Sequence, residues 1–188
     1  AERKRLSAAS AAYTTRALRR FYRWLTSEDE IESNPALRLK TPKVPEPVTK
    51  IAAVEDVQKM MSPCRTGMFA TFNHRRDLAL LHMLRASGMR ISEASRVELP
   101  HIDLAARAII IPRTKTGKPR IAPIDAHATR AISAYLRLLD QDDPGIVWRT
   151  EAGAHLRLSG VKQAFERLAT RAGVAVTPHQ LRRAFASD

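Results

Sequence analysis

Apolar residues recur every three or four positions along most of the chain, a spacing that places them on one face of an α-helix. The stripe in residues 126–140 consists of Ala128, Ala131, Ile132, Tyr135 and Leu139. The same periodicity predicts helices over residues 8–26, 54–61, 75–88, 91–97, 126–140 and 159–173. Most of the chain is therefore expected to be helical.

Residues 108–124, AIIIPRTKTGKPRIAPI, follow a different pattern. Two short apolar runs flank a polar segment that contains Gly117, which is typical of a β-hairpin. We predict strands at Ala108–Pro112 and Arg120–Ile124. The fold class is thus mainly α with a small antiparallel β-sheet, an α+β fold.

Helix ends are also readable from the sequence. Gly88 is a C-terminal stop for the helix before it, and Ser92 is a candidate N-cap for the short helix that follows. The last segment, TPHQLRRAFASD, has Thr177 as N-cap and Pro178 at the first helical position. Gln180 completes a Thr-x-x-Gln capping box, and Leu181, Ala184 and Phe185 are expected to face the core.

A proline-rich stretch divides the chain. Pro42, Pro45 and Pro47 fall within six residues, where a helix cannot continue and an extended backbone is favoured. We interpret residues 41–49 as a linker between a small helical domain, 1–40, and a larger domain, 50–188.

The charge balance narrows the class of partner. The chain of 188 residues has 32 Lys and Arg against 19 Asp and Glu, a net charge of +13. Such a field attracts polyanions, and an aromatic content of only 5% favours binding to phosphates over base stacking. The alternative is a soluble basic protein with no nucleic-acid target, or a ribosome-associated protein.

The single cysteine, Cys64, excludes an intrachain disulfide or a cysteine-based zinc site.

One face of the first helix is a candidate DNA contact. Its arginines are Arg16, Arg19, Arg20 and Arg23, opposite an apolar side formed by Ala17, Leu18, Phe21, Trp24 and Leu25. The ordinary alternative for such a charged face is solvation. No acidic residue lies among these arginines, which favours the DNA backbone.

Four other residues have the chemistry of a phosphate site. His179 and Arg182 share a face in the first turn of the last helix, where free N–H groups favour anions. Arg90 follows a helix stop, and Lys115 lies near the hairpin turn. Each also has an ordinary interpretation: a surface His, a salt-bridged Arg182, an Arg90–Glu93 pair, or a solubilising turn lysine.

Taken in order, these segments resemble the tyrosine recombinase (phage integrase) family. The resemblance starts at RFYRWL and NPA, continues through RDLALLHMLRASGMRISEA and TKTGKPRIAPI, and ends at HQLRRAFAS. Arg90 matches the family's first catalytic arginine and Lys115 its hairpin lysine. His179 and Arg182 match its H-x-x-R motif, and Glu93 matches its acidic position after the first arginine.

The resemblance implies a tyrosine recombinase-like catalytic domain over 50–188, preceded by the C-terminal part of a helical core-binding domain. It implies strand cleavage and rejoining of double-stranded DNA without metal or cofactor, through a 3′-phosphotyrosine intermediate. Arg90 and Arg182 would bind the non-bridging oxygens, Lys115 would protonate the leaving oxygen, and His179 would assist. Lys118 joins the candidate DNA contacts, and self-association as a tetramer on DNA is expected of the full-length protein.

The sequence departs from this family after the H-x-x-R motif, where the family's further His or Trp, its nucleophilic tyrosine and its C-terminal exchange segment are expected but not present. The family's nucleophilic tyrosine follows the H-x-x-R helix, and the sequence ends at Asp188 without one. We interpret the tyrosines present, Tyr13, Tyr22 and Tyr135, as structural. We therefore expect a chain truncated before its nucleophile that binds DNA without cleaving it.

Two alternatives remain: a non-catalytic DNA-binding or regulatory protein on the same fold, and a type IB topoisomerase-like enzyme. We expect a cytoplasmic, nucleoid-associated protein of a bacterium or phage. No membrane segment is expected.

Overall fold

The computed structural model describes residues 6–45, 51–64, 70–112, 117–139, 143 and 145–187. The backbone contacts divide the chain into two units, Ala1–Thr49 and Lys50–Asp188.

The first unit is built on helix α1, Ala8–Ser27, which confirms the helix predicted for residues 8–26. Ser7 caps it by accepting a hydrogen bond from the Ser10 N–H at 3.1 Å. A 3₁₀ turn, Pro35–Arg38, follows, and Asn34 caps it through the Ala36 N–H at 2.9 Å. The apolar side of α1 is largely exposed, with Trp24 at 54%.

The second unit contains the other helices and a small sheet. Its helices are α2 Val54–Met61, α3 Phe72–Ser87, α4 Ile91–Ala94, α5 Ala126–Leu136, α6 Leu158–Arg171 and α7 Pro178–Ser187. Its strands are β1 Ile102–Asp103, β2 Ala108–Ile111 and β3 Arg120–Pro123. They form an antiparallel sheet in the order β1-β2-β3, with Ile111 opposite Arg120. The predicted fold class is confirmed: the chain is mainly helical with a small antiparallel sheet.

Helix α3 occupies the centre of this unit. Leu80, Leu81 and Leu84 are at most 2% exposed, as predicted, and α5 and α7 pack against the helix. The chain leaves α3 through Gly88, which has a left-handed conformation with φ 54°. This sharp exit sends the next residues directly into α4.

Buried aromatic residues join α4, α5 and the loop before α6. Tyr135 and Trp148 stack with ring centroids 5.7 Å apart. The Trp148 Nε1–H donates to the Ala94 carbonyl at 2.6 Å, and the Tyr135 hydroxyl donates to the Val147 carbonyl at 2.7 Å. These bonds satisfy polar atoms that would otherwise be costly to bury, so they fix α4 against the core.

Two local predictions are wrong. Ser92 does not cap α4, because the helix already begins at Ile91 and Arg90 is the N-cap residue. Phe185 does not lie in the core: it is 41% exposed, whereas Leu181 is 1% exposed. The Phe185 ring instead covers Gly88, in the space that a Cβ at that position would need.

Across the described residues, no helix is long and apolar enough to cross a membrane.

Candidate active site

The beginning of α7 confirms the predicted capping box. The Gln180 Oε1 accepts from the Thr177 N–H at 2.8 Å, and the Thr177 Oγ1 accepts from the Gln180 N–H at 3.3 Å. His179 is exposed in this first turn. The helix start therefore offers an accessible imidazole beside backbone N–H groups that attract anions.

Arg182 lies one turn further along α7 and is held by Gly88, the residue that follows α3. Its Nη1 donates to the Gly88 carbonyl at 2.6 Å, while about a third of the side chain, 32%, remains exposed. Burial lowers the pKa of the guanidinium, as does the nearby charge of Arg90, and Glu93 acts in the opposite direction. An arginine so placed stays protonated at neutral pH and is fixed before a ligand arrives.

Arg90, the N-cap of α4, is tied to Glu93 twice. Its Nη1 donates to the Glu93 Oε1 at 2.7 Å, and its backbone N–H donates to the Oε2 at 2.8 Å. The Arg90 side chain remains 45% exposed, so the pairing orients the guanidinium without covering it. The ordinary Arg90–Glu93 pair considered from sequence is present, in a form that leaves Arg90 accessible to a phosphate.

Glu93 is the centre of the cluster. Its side chain is only 7% exposed and also pairs with Arg120 at 3.2 Å and Arg182 at 3.8 Å. Burial acts to raise the pKa of this carboxyl, but hydrogen bonds from Arg90 and Arg120 outweigh it and the net shift is downward. Three guanidinium groups thus surround one ionised carboxylate and leave a net positive charge suited to an anion.

Arg120 was not singled out from the sequence. The signal available was a basic residue at the first position of the predicted second strand. Strand periodicity gives the face on which a side chain lies, but not which helix packs there. The contact with Glu93 is a tertiary feature, so one sequence could not reveal it.

The hairpin is described only in part. Lys115 lies outside the described residues, which end at Pro112 and resume at Gly117. Strands β2 and β3 join this segment on both sides, and Lys118 is exposed beside it. Arg120, at the end of the sheet nearest the hairpin turn, thus links the strand that follows Lys115 to Glu93.

The four arginines of α1 line one surface depression of the first unit. Arg16, Arg20 and Arg23 are exposed, but Arg19 is half-buried. Its guanidinium donates to the carbonyls of Leu39 at 2.5 Å, Leu37 at 3.3 Å and Ala36 at 3.4 Å. Arg19 therefore stabilises the turn after α1, whereas the other three face solvent.

Tyr135 is not accessible for chemistry. It is fully buried, and burial raises the pKa of its hydroxyl to about 12. Tyr13, at 75% exposed, and Tyr22 both lie on α1. In the described part of the chain, no three His, Cys, Asp or Glu side chains are grouped to hold a metal ion.

The chain is similar to known proteins over nearly its whole length. It is 33% identical over 191 residues to tyrosine recombinase XerC of Oceanobacillus iheyensis, covering 97% of this chain and 61% of that protein. Against tyrosine recombinase XerC of Escherichia coli O157:H7 the identity is 31%, covering 98% of this chain and 62% of that protein. The chain thus spans about three fifths of the length of these relatives.

Solved structures show the same fold at lower identity. A lambda integrase bound to DNA matches with a TM-score of 0.74 and 16% identity, over 95% of this chain and 64% of that one. XerA recombinase matches with a TM-score of 0.63 and 22% identity, over 96% and 61%. The Phage integrase family model matches residues 51–188, the part that contains Arg90, Glu93, His179 and Arg182. The chain therefore belongs to the phage integrase family, the tyrosine recombinases.

Proposed function

We propose that this chain binds the scissile phosphate of double-stranded DNA for a site-specific recombination reaction that proceeds by transesterification. The observation that supports this most directly is the convergence of Arg90 and Arg182 on the buried carboxylate of Glu93. Two partly exposed guanidinium groups held in fixed positions match the two non-bridging oxygens of a phosphodiester.

In the proposed reaction a tyrosine hydroxyl oxygen attacks phosphorus and loses its proton to solvent, and the bond from phosphorus to the 5′-oxygen breaks. The phosphate remains on the protein as a 3′-phosphotyrosine, and the departing 5′-oxygen takes a proton from Lys115. Arg90 and Arg182 stabilise the charge on the non-bridging oxygens, and His179 donates to one of them. Such preorganised charge is typically the largest single contribution to catalysis.

The cycle needs no external energy source. The phosphotyrosine bond retains the energy of the broken phosphodiester, and a second 5′-hydroxyl attacks it to regenerate DNA and the free tyrosine. Metal ions have no assigned step in this scheme, because the guanidinium groups provide the positive charge at the phosphate.

The nucleophile in this proposal is none of the tyrosines of the sequence. Tyr135 is buried and bonded to the Val147 carbonyl, and Tyr13 and Tyr22 lie in the first unit. None of these three tyrosines is therefore assigned as the nucleophile, and we propose that this chain binds DNA without cleaving it.

The proposals for DNA binding and self-association rest on the charge of the chain and on its similarity to known recombinases. The net charge of +13 suits DNA, and the lambda and Tn1549 integrases of similar fold were solved with DNA. We propose that residues 1–40 are the C-terminal part of a core-binding domain, joined by the linker 41–49. Arg16, Arg20, Arg23 and Lys118 would contact the backbone, and Arg19 would do so only by giving up carbonyl bonds. The full-length protein is proposed to assemble as a tetramer on DNA.

A covalent-adduct assay tests this function. The protein encoded by the whole gene is incubated with a library of nicked suicide duplexes of randomised core sequence, and adducts that survive denaturation are counted. We expect adducts from the natural protein and a loss of at least about a hundredfold in Arg182→Ala, the scale for removing one donor to a developing charge. Arg137→Ala, an exposed arginine on the turn after α5, is the matched control.

Two results would contradict the proposal. Full activity in Arg182→Ala would remove the role given to that residue. DNA binding by the natural protein with no adduct under any condition would instead support the non-catalytic, regulatory alternative.

A further inference from the structure

Arg120 is the third guanidinium of the cluster, and the proposed reaction gives it no step. We propose that Arg120 is a positioning residue: by pairing with Glu93, it prevents that carboxylate from capturing Arg182 and so leaves Arg182 available to the phosphate. This inference rests on the proposed function, since it concerns the same phosphate site.

The two oxygens of Glu93 are not equivalent. Oε1 accepts from the Arg90 Nη1 at 2.7 Å. Oε2 accepts from the Arg90 backbone N–H at 2.8 Å and from the Arg120 Nη2 at 3.2 Å. A carboxylate oxygen has about two lone-pair positions for acceptance. Both positions on Oε2 are therefore filled, one of them by Arg120.

Arg182 lies just outside this arrangement. Its Nη1 is 3.8 Å from the Glu93 Oε2, too far for a hydrogen bond, and bonds to the Gly88 carbonyl at 2.6 Å instead. Without Arg120, the Oε2 would have an unfilled acceptor position directed at a cation less than 4 Å away. A short Arg182–Glu93 pair would then form and would neutralise the charge that the phosphate needs.

The location of Arg120 favours this role over that of a mobile surface cation. It is the first residue of β3 and pairs with Ile111 across the sheet, so its backbone is fixed. Its side chain is 35% exposed, comparable to Arg182 at 32%. Positioning and direct phosphate binding predict a different dependence of phosphate affinity on Glu93.

A double-mutant cycle on the chain as given separates them. Inorganic phosphate is titrated at neutral pH while the Nε–Hε NMR signals of Arg90 and Arg182 are followed. If Arg120 acts through Glu93, Arg120→Gln raises the phosphate Kd about tenfold, the loss of one charged contact. In the Glu93→Gln background the same change raises it less than about threefold, because the capturing charge is gone.

Further variants control for folding and for net charge. Arg120→Lys keeps a cation on Glu93 and should lie between the natural chain and Arg120→Gln; if Arg120→Gln does not fold, Arg120→Lys is measured in both backgrounds. Arg137→Gln removes one positive charge from the exposed end of α5 and should change the Kd less than about twofold, the effect of an exposed charge. Thermal melts establish that each variant is folded.

Equal losses in the two backgrounds would overturn the inference and make Arg120 a direct phosphate ligand. An unchanged Kd in Arg120→Gln, or no measurable phosphate binding by the natural chain, would overturn it as well. The proposed function fails separately. The whole-gene protein could form no DNA adduct while the effects of Arg120 and Glu93 on the phosphate Kd remain coupled. That outcome would refute the proposed reaction and leave the positioning role of Arg120 intact.

Discussion

Two arginine clusters among the described residues differ in how their side chains are held. On α1, Arg16, Arg20 and Arg23 come from one helix, face solvent, and appear in none of the ion pairs between described residues. In the second unit, the guanidinium groups of Arg90, Arg120 and Arg182 come from three separate elements and meet at a buried carboxylate. The first arrangement suits a field for any polyanion, while the second is the one we propose fixes positions for one anion.

This difference has an energetic consequence. The contribution of an exposed arginine to the free energy of unfolding changes little when a neighbouring residue is substituted, because water solvates the guanidinium in either case. A cluster that depends on a buried carboxylate and a backbone carbonyl is part of the packing of the domain, so changes to it should affect folding as well as function. The following variants measure that contrast by the free energy of unfolding, beginning with the largest effect.

Gly88→Ala should destabilise the second unit by about 2–4 kcal/mol, within the range for a change that combines backbone strain with a steric clash. Gly88 has φ 54°, and a Cβ there would collide with the Phe185 ring. The shift would also displace the carbonyl that holds Arg182. Gly173→Ala is the control, since φ is 65° but the space is open, and it should cost about 1 kcal/mol. Urea unfolding measures both, and equal costs would contradict the steric argument.

Glu93→Gln should cost about 2 kcal/mol at neutral pH, because two arginines lose hydrogen bonds to an ionised acceptor. The pKa of Glu93 is lowered in the folded chain, so its contribution is present above the unfolded value of about 4.3 and disappears as the pH falls through the folded value. The gap between natural and variant chains should therefore narrow below about pH 4. A gap that persisted in acid would contradict this role. Asp56→Asn, at an exposed pair with Lys59, should change stability by less than about 0.5 kcal/mol.

Arg19→Gln should destabilise the first unit by about 1 kcal/mol, because its guanidinium donates to carbonyls of Ala36, Leu37 and Leu39. Arg20→Gln, the adjacent exposed residue, is the matched control and should have almost no effect. Hydrogen exchange at residues 36–39 would locate the change. Equal protection of these amides in both variants would show that Arg19 does not stabilise the turn after α1.

The triple variant Arg16→Gln, Arg20→Gln and Arg23→Gln should alter stability by less than about 0.5 kcal/mol. Its effect should appear in DNA binding, where each lost phosphate contact reduces the slope of log K against log salt by about 0.9. Titrations with a duplex between about 50 and 200 mM salt measure the slope. An unchanged slope would show that this face of α1 does not contact DNA.

Local sequence rules predicted most of the helices and strands, and they predicted the helix start and helix end that position the candidate site. The capping box at Thr177 and the stop at Gly88 involve residues close in sequence, so one sequence was sufficient to find them. The site needed more. Arg120 lies 27 residues from Glu93, and no periodicity encodes that pairing. Arg19 looked identical to its neighbours because its acceptors are carbonyls, which every residue has. Ser92 was wrong as a cap because α4 already begins at Ile91, with Arg90 as its N-cap and Glu93 bonded back to the Arg90 N–H.

The bond from Arg182 to the Gly88 carbonyl joins positions 94 residues apart. Arg90 lies at the start of α4 and Arg182 on α7, so the proposed anion site is complete only when α7 docks. Occupancy and docking are therefore thermodynamically linked: an anion that binds only the docked form stabilises it by RT ln(1 + [L]/Kd). Under the proposed function, DNA would stabilise the docked form of this chain, and the unfolding of one helix of 10 residues would abolish phosphate binding.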